Sequence, residues 1–151
     1  MSPCLCGLNG FQNAAQRKQY MTQEHAEIQC LNEISSGIIG CSIEVHKEVG
    51  PGLLESVYEE CLCYELKQKG FLCERQKELP VIYKKLELNA GFRIDILIEN
   101  SVIIELKAIE RILPIHKAQI LSYMKLMNIK LGLLINFNVP VLKDGINRFV
   151  L

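Results

Sequence analysis

The sequence predicts one α/β domain with a central mixed β-sheet flanked by α-helices. Three observations carry this reading. Two segments with apolar residues at three- and four-residue spacing open the patterned part of the chain. The stretch "RIDILIENSVIIELK" (93–107) holds two apolar runs around a short polar break. A third amphipathic segment, after Pro114, separates those runs from the apolar "LGLLINF". The order helix, helix, strands, helix, strand is that of a layered α/β domain.

The totals agree. A length of 151 residues favours one domain with a real core. Hydrophobic residues make up 49% and charged residues 23%, a globular composition. Seventeen basic and seventeen acidic residues cancel. An anionic partner must therefore meet a local patch, because no global field steers it. No apolar run approaches a membrane span, and the N-terminus lacks a basic-then-apolar signal layout. The expected location is cytoplasmic. The seven cysteines form no C-x-x-C pair and are expected to be reduced, mostly buried thiols.

Residues 1–23 show little periodicity and are expected to form a loosely ordered extension, with the domain running over 24–151. Ile34, Ile38, Cys41, Val45 and Val49 mark the first helix, stopped by Gly50-Pro51-Gly52. A second helix is expected from about Leu53 to Lys69, with Gly70 as its stop. Its apolar side would carry Leu54, Val57, Tyr58, Cys61, Leu62, Glu65 and Leu66. "FLCERQKELPVIYKKLEL" reads as extended structure, broken by Pro80 and turned near Lys84-Lys85. Strands follow over 92–98 and 102–107. Pro114 starts the third helix, "LGLLINF" is a buried strand, and "INRFVL" a short last one.

The two apolar runs raise the chemical question, because each carries charge: Asp95 in the first, Glu105 and Lys107 in the second. Side chains alternate along a strand. Phe92, Ile94, Ile96 and Ile98 would share one face, and Arg93, Asp95 and Leu97 the other. Glu105 and Lys107 would share a face of the next strand. A hairpin brings Asp95 opposite Glu105 only with the three-residue loop Glu99-Asn100-Ser101. Two facing carboxylates repel unless a cation joins them. A hard divalent ion fits, and a nearby lysine could hold a water or offset phosphate charge. The bland alternative is a solvent-exposed salt-bridge cluster.

Two helices add polar groups. Glu55 lies about 20° from Leu62 and Leu66 on a helical projection, so it faces the sheet. It could equally be a first-turn carboxylate held by the helix dipole. His116, Gln119 and Tyr123 fall within about 60° of one another, as a cleft lining or a solvated face would.

"GLLESVY" (52–58) has the form G-x-x-E-x-x-Y and resembles the signature of the GxxExxY protein family, a branch of the PD-(D/E)xK nuclease superfamily. The resemblance runs from about Asn32 to Leu151. It includes "IEVHKEVGPGLLESVYEECL", "RIDILIENSVIIELKA", "PIHKAQILSYMKL" and "GLLINFNVP" in order. It implies a restriction-endonuclease-like core, with the acidic motif on Asp95, the E-x-K on Glu105 and Lys107, and the helix glutamate on Glu55. The Q-x-x-x-Y pattern of some branches matches Gln119 and Tyr123. Ile94 stands where the motif's name has proline, a position that supplies no chemistry.

The reading that follows is a magnesium-dependent (or manganese-dependent) nuclease. Asp95, Glu105 and Glu55 would hold the metal, and Lys107 would orient the attacking water. Gln119, Tyr123, His116 and Arg93 would meet the substrate, with Arg111, Lys117 and His46 as further cleft candidates. The expected partner is nucleic acid, DNA ahead of RNA, with no membrane and with homo-oligomerisation left open. The rivals are a binding or regulatory module that keeps the fold without turnover, and an interaction protein with a salt-bridge network.

Overall fold

The structure is a computed structural model that describes residues 23–151, with the backbone alone at Ala90. The expected extension therefore lies outside the described residues except for Gln23, which already belongs to the first helix.

Helix α1 (Gln23–Val49) begins earlier than the apolar periodicity indicated, because its first two turns are exposed and bury nothing. Its buried stripe is Cys30, Ile34, Ser35, Ile38, Cys41, Ser42 and Val45. Helix α2 (Glu55–Gln68) buries Tyr58, Glu59, Leu62, Cys63 and Leu66. That face is rotated from the expected one: Leu54 and Val57 are 74% and 38% exposed, and Glu59 is inside. Gly70 ends the helix as expected, with Phe71 N–H returning to the Leu66 carbonyl at 3.0 Å.

Strands β1 (Cys73–Tyr83) and β2 (Leu86–Ile98) form a long antiparallel hairpin turned at Lys84-Lys85. Pro80 does not break β1. The register shifts between Leu79 and Val81, so the residue without an N–H sits at an irregularity rather than in a regular ladder. β2 pairs antiparallel with β3 (Val102–Lys107), and β3 pairs parallel with β4 (Leu131–Asn136). Helix α3 (Pro114–Met127) makes the crossover that parallel neighbours require. A 3-10 turn (Leu142–Gly145) leads to β5 (Ile146–Val150), antiparallel to β4. The result is the mixed five-stranded sheet β1-β2-β3-β4-β5, an α/β fold of the restriction-endonuclease-like kind.

Each face of the sheet has its own core. Ile96, Ile98, Val102, Ile104, Leu106, Leu131, Leu133 and Ile135 pack with α1 and α2. Leu97, Ile103 and Leu134 pack with Ile120, Tyr123 and Met124 of α3. Gly132 permits this second contact: a Cβ there would stand 2.6 Å from Met124 Sδ. Among the cysteines, Cys41, Cys61, Cys63 and Cys73 are free thiols, as expected. Cys30 corrects that expectation, because it is disulfide-bonded.

Candidate active site

The site forms where β2 and β3 part. Their pairing runs Ile98↔Val102, Leu97↔Ile103, Ile96↔Ile104 and then stops. One further step of that register sets Asp95 opposite Glu105, with Glu99-Asn100-Ser101 as the loop. Glu99 and Asn100 take the left-handed conformation there (φ 51° and 52°), and Ser101 N–H closes the turn on the Ile98 carbonyl at 2.9 Å.

Strict alternation breaks at Asp95. Ile94 packs in the α3-side core and Ile96 in the α1/α2-side core, so they do not share a face. The chain turns between them. Asp95 is thereby aimed into the gap between the strands, where its Oδ2 accepts the Leu106 N–H at 2.8 Å. On β1, the pairing skips Gln76, the residue level with Asp95, and Gln76 has φ 50°. A left-handed non-glycine residue inside a strand is uncommon and marks a locally imposed bend.

Glu105 is 3% exposed, and its Oε2 has no hydrogen-bond partner among the described residues. Burial, followed by the charge of Asp95, pushes its carboxyl up to about 9. Burial raises the Asp95 carboxyl as well, against the lowering effect of the Leu106 N–H. The pair therefore favours holding a proton. Lys107 follows on the same side of β3. Its charge opposes the upward shifts of Glu105, Asp95 and Glu55. Its carbonyl accepts the Phe137 N–H at 2.9 Å.

Glu55 reaches this group from α2, and the G-x-x-E-x-x-Y segment explains how. Gly52 takes φ 95°, a value that favours glycine, and turns the chain into the helix. Tyr58 Oη donates to the Gly50 carbonyl at 2.6 Å and accepts the Leu53 N–H at 3.1 Å. The Tyr58 ring stacks on Phe137, just after β4, with centroids 4.4 Å apart. Tyr58 thus fixes the turn and anchors the start of α2 to the end of β4, with Glu55 in the first turn. Burial raises the Glu55 carboxyl, Lys107 lowers it, Asp95 raises it, and an Ala108 backbone hydrogen bond lowers it. Asp95, Glu105, Lys107 and Glu55 accordingly occupy one electrostatic neighbourhood.

On the other side, Gln119 Nε2 donates to Tyr123 Oη at 2.8 Å. The Tyr123 hydroxyl is raised by burial and then lowered by Gln119, with Glu105 and Asp95 adding upward pressure. Gln119 and Tyr123 therefore border the carboxylates, and Phe92 meets the Tyr123 ring at 6.2 Å. The other candidates have local partners. His116 Nδ1 accepts the Leu113 N–H at 3.0 Å and caps its own helix. It also borders a groove with Ile109, Glu110, Arg111 and Leu113. Arg93 is exposed and pairs with Glu78 at 3.4 Å. His46 Nε2 donates to the Val139 carbonyl at 2.8 Å. Lys117 is exposed on α3.

Two residues escaped the sequence reading. Glu59, one turn after Glu55, is 7% exposed and accepts from Arg75 Nε at 2.9 Å and Gln76 Nε2 at 2.8 Å. Its charge also raises Asp95. The signal was its spacing of four from Glu55. Asn136 is 2% exposed and brackets Ile109, accepting its N–H at 3.1 Å and donating to its carbonyl at 2.9 Å. That clamp orders the segment leaving Lys107. A polar residue closing a fully apolar strand was its signal.

The donor set suits a hard divalent cation. It offers buried carboxylate oxygens, one of them without a partner among the described residues, on carboxyls raised by burial and mutual repulsion that a cation would relieve. Among the described residues, no three His, Cys, Asp or Glu side chains are gathered into a metal-holding cluster by themselves. Water or a substrate oxygen would complete the coordination.

Compared with known families, residues 32–149 match the PD-(D/E)XK nuclease superfamily. No curated protein and no solved structure matches the chain. No helix among the described residues is long and apolar enough to cross a membrane.

Proposed function

The chain belongs to the PD-(D/E)XK nuclease superfamily, and from that membership we propose that it is a metal-dependent nuclease hydrolysing phosphodiester bonds at the Asp95–Glu105 site. The observation that carries the proposal is the Glu105 carboxylate, buried beside Asp95 with its neutral form favoured and with no hydrogen-bond partner for Oε2 among the described residues. A buried acid pair without a cation costs stability, which a purely structural site would avoid. The G-x-x-E-x-x-Y segment supports placement in the GxxExxY branch, since Gly52 and Tyr58 each have a physical task in setting Glu55.

Asp95 and Glu105 would hold magnesium (or manganese), with Glu55 acting through water. The ion would supply charge to offset what develops on the phosphate oxygens. Asp95 keeps its direction because Leu106 N–H holds one of its oxygens. Lys107 orients the attacking water and places a positive charge beside the reacting phosphate. Tyr123, positioned by Gln119, presents its hydroxyl at the border of the site, where it can donate to a phosphate oxygen. Arg93 and Arg111, both exposed, meet the flanking backbone. The substrate is nucleic acid, with DNA favoured over RNA.

The test is incubation of the purified protein with end-labelled DNA and RNA, single- and double-stranded, in magnesium, manganese or chelator. Cleavage that requires the ion and disappears in Asp95→Asn supports the proposal. Binding without cleavage under every condition supports the rival, a module that keeps the fold without turnover.

A further inference from the structure

Cys63 and Cys73 lie outside the chemistry just described. Cys63 is buried on α2, Cys73 opens β1 partly exposed, and their sulfurs are 3.0 Å apart in a hydrogen-bonded contact. Ordinary core cysteines pack as small apolar groups; these two face one another across two elements. Their surroundings also differ in kind. The Cys73 thiol is pushed down by its hydrogen bond with Cys63, with help from Lys67 and Arg75 against burial. The Cys63 thiol is pushed up by the same hydrogen bond and by burial. The partly exposed sulfur is thus the one an oxidant meets first, and the buried one stands within reach of it.

We propose that Cys63 and Cys73 are an oxidisable dithiol, a modification site for hydroperoxide oxidants whose product is a disulfide joining α2 to β1. The Cys73 thiolate attacks a peroxide oxygen. An S–O bond forms and the O–O bond breaks. The departing oxygen takes a proton and leaves as water or alcohol, so the peroxide is reduced and Cys73 becomes a sulfenic acid. The Cys63 sulfur then attacks the Cys73 sulfur. An S–S bond forms, the S–O bond breaks, and hydroxide leaves as water with the proton from Cys63. One hydroperoxide and two thiols give one disulfide. The bond spans the same two elements that Glu59 clamps through Arg75 and Gln76, so oxidation locks α2 against β1. Cys61, two residues from Cys63, faces a groove with Val45 and Tyr64 and has no part in the pair.

The experiment treats the full-length protein with hydrogen peroxide near stoichiometry, alkylates the remaining thiols and maps tryptic peptides without reduction. Peptide 48–67 should appear cross-linked to peptide 70–75, and dithiothreitol should release it. Because 48–67 also contains Cys61, Cys61→Ser should keep the cross-link. Cys73→Ser, at a partly exposed position, should abolish it. Cys63→Ser should leave a Cys73 sulfenic acid that dimedone traps. The oxidised protein should melt at a higher temperature than the reduced one. Failure of 48–67 and 70–75 to cross-link while other free thiols oxidise would overturn the proposal, as would a cross-link carried by Cys61. None of these readouts depends on nuclease activity.

Discussion

The Leu106 backbone N–H donates to Asp95 Oδ2 at 2.8 Å, across the point where β2 and β3 separate. One carboxylate therefore has two tasks: it satisfies a strand N–H that has lost its ladder partner, and it stands beside Glu105. The two tasks separate by mutation. Asp95→Asn keeps a carbonyl oxygen for Leu106 and removes the charge, so in metal-free buffer it should match or exceed the wild-type melting temperature. Asp95→Ala leaves the N–H unpaired and should cost about 1–3 kcal/mol. Both should abolish metal-dependent cleavage. Denaturant melts of the two variants, run beside cleavage assays, check this; equal stability of Ala and Asn variants would remove the capping task.

Glu105 gives a pH dependence with a definite sign. Its carboxyl is raised from 4.5 to about 9 in the folded protein. The folded state thus binds this proton more tightly than the unfolded state does. The stabilisation is fully present below about pH 4.5 and is lost as pH climbs towards about 9. In chelator, the melting temperature should fall across that interval more steeply for wild type than for Glu105→Gln. A cation must displace the same proton, so magnesium or manganese affinity should rise over the same interval.

Glu55→Gln should be nearly neutral in stability without metal. A first-turn charge is worth about 0.3–1 kcal/mol, and burial already favours the neutral form at this position. Cleavage or metal affinity should still drop. Unchanged cleavage with lowered stability would reduce Glu55 to a dipole partner of α2.

Glu59→Gln tests whether the bend at Gln76 directs Asp95. The substitution weakens the hold on Arg75 and Gln76, and metal affinity should fall about 10–100-fold, as loss of an outer partner commonly causes. Lowered stability with unchanged metal affinity would confine Glu59 to packing.

The Asp95–Glu105 register was readable because only an odd-length turn puts both carboxylates on one side, and Glu99-Asn100-Ser101 suits that turn. What the sequence hid is the twist. Alternation assigns Ile94 and Ile96 to one face, whereas the bend at Asp95 and Gln76 sends them to opposite cores. At that bend Gln76 and its neighbour Arg75 are held by Glu59, a helix charge of the kind ordinarily solvated, whose one sequence signal was its spacing of four from Glu55. His116 was placed on a cleft side by helical angle, and its second task, capping the helix that Pro114 starts, was hidden. Pro80 suggested a break and produced a register shift. The early start of α1 was invisible because those turns bury nothing. Contacts between elements decided each of these outcomes, and periodicity within one element does not contain them.

The most direct test of the account is manganese(II) binding to the wild-type chain and to Asp95→Asn, followed by electron paramagnetic resonance at pH 8. A site held by Asp95 and Glu105 predicts specific manganese binding by wild type, competed by magnesium. It also predicts a loss in Asp95→Asn larger than the roughly 10–100-fold typical of outer partners. Equal binding by both proteins, or none by wild type, would contradict it.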